Sequence, residues 1–168
     1  MNKILLVICF FSLGLTGFAQ VARNVKLRII KAEDARRFDG ELEALLRDKT
    51  PAVRRRAALA AGRIGDERAV DHLAALLADG DEAVGVMAAF ALGEVSSLKA
   101  ADAVLKGLKD DLTTDGVRAR LVEAAGKIAS ANAGPPNSTT DPKAVALGEA
   151  VLDALEAEEA KGEKQYVE

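Results

Sequence analysis

The stretch Leu42–Gly62, "LEALLRDKTPAVRRRAALAAG", returns 31 residues later (73 − 42) as Leu73–Gly93, "LAALLADGDEAVGVMAAFALG". Leu42, Leu45, Leu46, Asp48, Val53, Ala57, Ala60 and Gly62 all recur as the same residue type. A third copy, Leu105–Ile128, matches at Leu108, Asp111, Val117, Ala124 and Gly126, with one or two extra residues in its turn. Ala-rich composition produces chance matches, but not Leu, Asp, Val and Gly placed together in one register. The chain is therefore a tandem repeat, and a period of this length signals a stack of small supersecondary units.

Each unit reads as two helices. Val53, Ala57, Ala60 and Ile64 fall at i, i+4, i+7 and i+11, which is one helical face. Thr50-Pro51, Asp66, Asp81, Ser97 and Asp115 mark starts, because their side-chain oxygens suit the free N–H groups of a first turn. Stops fall near Gly65, Gly80 and Asp110-Asp111. Nothing in the mature chain has strand periodicity. The expected fold is all-α, a solenoid of tandem antiparallel helix pairs, because one pair cannot bury both of its apolar sides alone.

With five Phe, one Tyr and no Trp, the core must be assembled from small side chains. Ala and Gly let backbones approach closely, so many short dispersion contacts replace large rings. Gly62, Gly93 and Gly126 share one register although each costs about 1 kcal/mol relative to Ala. They are expected to be positions of close helix approach.

The N-terminus, "MNKILLVICFFSLGLTGFAQ", has one cation, Lys3, then an apolar run and small residues Gly17 and Ala19. This is the three-part pattern of a secretory signal peptide, with cleavage expected after Ala19. The apolar run is shorter than the roughly 20 residues a membrane span needs. The expected location is the periplasm or the exterior, with no membrane attachment once the leader is removed. Cys9 is the only cysteine, so the mature domain holds together without disulfides. The expected divisions are a signal peptide at 1–19, an N-terminal capping helix within 20–38, and the repeat array at 39–130. A Pro/Gly/Ser/Thr-rich linker at 131–141 precedes a C-terminal helix and tail at 142–168. The capping helix carries Val25, Ile29 and Ile30, and the last helix carries Ala144, Leu147, Val151, Ala154 and Leu155.

At "DKTPAVRRRAALAAGRIGDERAV" and "DGDEAVGVMAAFALGEV" the sequence resembles HEAT repeats of the bacterial variety also found in phycobilisome-lyase proteins. The resemblance covers roughly residues 40 to 130 and implies about three HEAT-like repeats plus terminal helices. It also implies an Asp–Arg hydrogen-bonded ladder between units: Asp48 with Arg54 and Asp111 with Arg118 match it. The middle unit has Asp79, but Gly85 stands in the arginine place. The resemblance further implies a concave side, lined by second helices, that binds a protein or peptide. Similar segments precede a cyclophilin-type prolyl isomerase domain in some exported bacterial proteins. The alternative is thus the non-catalytic front of a longer exported isomerase or lyase-like protein.

The residues point to no chemistry of their own. His72 is the only histidine and has no partner at metal-ligand spacing, so it is expected on the surface of a first helix. No catalytic residue, metal site or cofactor is expected. Asp79, Asp81 and Glu82 sit where helix starts account for acidic groups. The formal charge of −3 falls to about −4 without Lys3, which weighs against nucleic-acid binding. What remains is surface. Opposite the buried stripe lie Arg55 and, toward one edge, Leu59; their counterparts are Val86 and Phe90, then Ala119 and Glu123. Val86 and Phe90 are apolar where exposure is expected, forming either an interaction patch or, for Phe90, filling of the seam between repeats.

Overall fold

A computed structural model describes residues 21–135 and 139–165. The expected leader with its expected cleavage position Ala19, residues 136–138 of the expected linker and the final three residues lie outside that range. Among the described residues eight α-helices follow in order: α1 (Arg23–Asp34), α2 (Gly40–Leu46), α3 (Pro51–Ile64), α4 (Val70–Ala75), α5 (Glu82–Val95), α6 (Ala101–Lys109), α7 (Asp115–Ala131) and α8 (Pro142–Gln165). Short 3₁₀ turns lead into α4 and α6 and extend α4. No strand occurs among the described residues.

The helices form three hairpins, α2–α3, α4–α5 and α6–α7, stacked side by side. The second helices pack in one layer, α3 on α5 and α5 on α7, with α1 against α3 at the front. Helix α8 closes the other end by lying on both α6 and α7. This is the all-α solenoid expected from the repeat.

The ends of the helices follow from local chemistry. Asp39 caps α2 by accepting from the N–H groups of Glu41 and Leu42, and Asp81 caps α5 through Val84. Asp66 and Ser97 do the same for the 3₁₀ turns. Pro51 opens α3 at a position where its missing N–H leaves nothing unsatisfied. At α7 the capping oxygen belongs to Thr114 and Asp115 lies inside the first turn, so the helix begins one residue earlier than expected. Gly65 ends α3 at φ 74, a left-handed conformation that glycine adopts without strain. Its counterpart, Ser96, takes φ 53 and donates its hydroxyl to the Gly93 carbonyl at 2.6 Å.

The stripe Val53, Ala57, Ala60 and Ile64 is buried, and so are Ala58, Ala61 and Gly62. Helix α3 is covered on more than one side because it packs on α2, α1 and α5 together. The same holds for α5, where Val84, Gly85, Ala88, Ala89, Ala91, Leu92 and Gly93 are all buried. A helix enclosed on several sides cannot carry bulky residues all round at this spacing, so alanine and glycine prevail.

The contact between second helices repeats from seam to seam. A Cβ built on Gly62 would meet the Ala91 backbone Cα at 2.8 Å, and one on Gly93 the Ala124 Cα at 3.0 Å. Both glycines are close-approach positions. Gly126 departs from the expectation, since its Cβ would meet only Val151 Cγ2 at 4.0 Å. The reason is that α8 lies across α6 and α7 and brings no backbone to that position.

Candidate interaction face and repeat seams

The expected ladder exists in altered form. Arg54 reaches across the first seam and holds the Asp79 carboxylate with two bonds, Nε to Oδ2 at 2.7 Å and Nη2 to Oδ1 at 2.6 Å. Its Nη1 donates to the Asp48 carbonyl at 2.8 Å. Asp48 thus contributes its backbone to the arginine, while its side chain accepts from the Thr50 N–H at 2.8 Å. The Asp79 side chain is nearly buried at 7 % exposure, so this fork-to-fork pair is shielded from water. Arg54 holds the Asp79 carboxyl below its ordinary range, helped by the Asp81 N–H and opposed by burial.

The third unit differs from the expectation. Arg118 does not pair with Asp111; it donates to the carbonyls of Leu108, Asp110 (2.8 Å) and Thr113 (3.4 Å), all in its own turn. Asp111 is exposed. Asp110 takes the structural place of Asp48 and Asp79, accepting from the N–H two residues on, that of Leu112, at 2.9 Å. Asp110 keeps the 31-residue period (110 − 79), and the extra residues of this turn come after it, before Val117. In the middle unit Gly85 supplies no side chain, and its hypothetical Cβ would lie 3.0 Å from the Leu77 carbonyl and 3.1 Å from Val117 Cγ2.

Across the second helices, Arg55 and Ala119 are exposed, while Leu59, Val86, Phe90 and Glu123 are half-buried. Phe90 lies beneath the Lys127 ammonium, 4.9 Å from the ring centroid, in a cation–π arrangement that bridges α5 and α7. Lys127 also pairs with Glu94 at 2.7 Å and Glu123 at 2.8 Å, and Glu123 pairs with Arg120 at 2.6 Å. Hydrogen bonds from Lys127 and then Arg120 draw the Glu123 carboxyl below its usual range. Val86 packs against the core, near the first turn of α7. The face is therefore an apolar centre, Leu59, Val86 and Phe90, with Arg55 on one side and a charged network on the other. Phe90 belongs to the seam as well as to this face.

His72 is half-buried instead of lying on the free surface. Its ring sits 5.8 Å from that of Phe38, and Nδ1 lies 3.1 Å from Arg47 Nη2. No sequence pattern marks this contact, because α3 separates Arg47 from His72 and both α2 and α3 separate Phe38 from it. Among the described residues no group of His, Cys, Asp or Glu is placed to hold a metal. No helix among them is long and apolar enough to cross a membrane.

A second ion-pair cluster ties α1 to α3. Glu33 accepts from both terminal nitrogens of Arg56, at 2.9 Å for Nη1, and from Arg63 at 3.4 Å. Burial works against the charge on Glu33, but these two arginines outweigh it and lower its carboxyl from the ordinary value. Successive residues of a helix point about 100° apart, so Arg54, Arg55 and Arg56 face three directions. They indeed part company: to Asp79, to solvent, and to Glu33.

The family model described as HEAT repeats matches residues 30–86. No curated protein matches the chain.

Proposed function

The chain is built on HEAT repeats, and from that premise we propose that it is a non-enzymatic scaffold, exported from a bacterial cell, that holds a protein or peptide. HEAT repeats generally mediate protein–protein interaction. The observation that carries the reading is the in-register row on consecutive second helices: Arg55 and Leu59, Val86 and Phe90, Ala119 and Glu123. A row of this kind can seat an extended segment. Leu59, Val86 and Phe90 would cover apolar side chains, and Arg55 would meet an acidic group at one end.

Capture from periplasmic extract tests it. The wild-type chain is expected to retain partners that the double variant Val86→Asp plus Arg55→Glu loses, with both proteins melting alike. Equal recovery would remove this face from the account. Export is tested by cell fractionation, where the mature protein is expected in the periplasm or medium, beginning at Gln20.

A further inference from the structure

We propose that the opening between the second and third repeats is a receptor for an arginine side chain of a partner polypeptide. The guanidinium would sit beside Asp110 as Arg54 sits beside Asp79 one repeat earlier. This site is separate from the second-helix face and does not depend on it.

The argument starts from internal repetition. Asp48, Asp79 and Asp110 are three copies of one turn: each accepts from the N–H two residues on, Thr50 at 2.8 Å, Asp81 at 2.9 Å and Leu112 at 2.9 Å. Between the first two copies runs the Arg54 side chain, tied to the Asp48 carbonyl and the Asp79 carboxylate. Between the second and third copies the equivalent residue is Gly85, and an open cleft of about 620 Å³ lies there. Its lining includes Gly85, Asp79, Asp110, Leu77, Val117 and Lys106. The third repeat's own arginine does not close it, because Arg118 is engaged with carbonyls of its own turn.

The chemistry of the cleft suits a guanidinium better than an ammonium. Asp110 and the Asp79 backbone repeat the two acceptors that Arg54 uses, and a planar fork satisfies acceptors on two sides of a slot. Leu77 and Val117 give apolar walls for the methylene stem. Of the charged groups lining the cleft, Asp79 is already matched by Arg54, so Glu82 and Asp110 face the single cation Lys106. The remaining balance is negative.

The test is a two-dimensional NMR titration of the full chain with acetyl-Gly-Arg-Gly-amide and with its lysine and citrulline counterparts. The arginine peptide is expected to move the amides of Gly80, Gly85, Leu112 and Thr113 saturably. The lysine peptide should bind about tenfold more weakly, and uncharged citrulline still less. Asp110→Asn keeps an acceptor for the Leu112 N–H while removing the charge, and is expected to weaken arginine binding about tenfold. Lys106→Gln removes the competing cation and is expected to tighten it. The proposal is overturned if lysine and arginine peptides bind alike, if shifts fail to saturate or scatter away from the cleft, or if neither variant changes the affinity.

Discussion

The two seams between repeats share a glycine contact and differ at their turns. At the first, Gly62 lies on Ala91 and the Arg54 fork locks the turns together. At the second, Gly93 lies on Ala124, but Gly85 has replaced the arginine and the turns stand apart. The second seam is joined elsewhere: by Lys127 to Glu94, Glu123 and the Phe90 ring on the far side of the helices, by Lys99 to Asp71 at 2.7 Å, and by Ser97 to Glu67 at 2.8 Å. A solenoid is stabilised pair by pair, so one seam can give up its polar lock while its neighbour keeps it.

The largest expected effect tests the shared contact. Gly62→Ala places a methyl against backbone that cannot swing aside, and is expected to cost about 3 kcal/mol in urea unfolding. Gly93→Ala also meets backbone, the Ala124 Cα, but at 3.0 Å instead of 2.8 Å, and should cost about 1 kcal/mol, since the helical gain of alanine offsets part of the strain. Gly126→Ala meets only ordinary contact and is expected to stabilise by about 0.5 kcal/mol. Equal effects at all three would show that the seams are not graded.

Next comes the lock. Arg54→Met leaves the nearly buried Asp79 carboxylate without its fork and is expected to cost about 2 kcal/mol. Arg118→Met, which loses only bonds within one exposed turn, should cost about 1 kcal/mol or less. Thermal melts of the two variants side by side would sharpen the difference between the seams.

The smallest effect is on acid stability. Asp79 and Glu33 both have carboxyls lowered from ordinary values of 3.8 and 4.5, the first by Arg54, the second against burial by Arg56 and Arg63. A carboxyl lowered by folding contributes stability above its ordinary value, and that contribution is lost as pH falls through the lower folded value. Stability is therefore expected to be level near neutrality and to fall below about pH 4.5. Asp79→Asn should flatten that fall, and an unchanged slope would place the acid sensitivity elsewhere.

Much of this was legible in the residues. The repeat register announced three hairpins and the buried stripe of α3, because helical spacing and a fixed period survive in any window. Gly62 and Gly93 were legible for the same reason. Gly126 shared their register but not their neighbour, since α8 does not continue the layer of second helices. Asp111 matches the motif as aligned from the downstream Val117, but Asp110 keeps the 31-residue period and the hydrogen bond, because the third turn's extra residues fall between Asp110 and Val117. The ladder's second partner was hidden too, since a carboxylate 25 residues from Arg54 is brought near only by stacking. The row of face residues was named by position, but the Lys127 lid over Phe90 depends on how two helices meet.

Native-state hydrogen exchange measures the contrast between the seams without altering a residue. The amides of α2 and α3 are expected to open at a free energy higher by about 1 kcal/mol or more than those of α6 and α7. One common opening energy for the whole array, or the reverse order, would contradict the account of a locked first seam and an open second one.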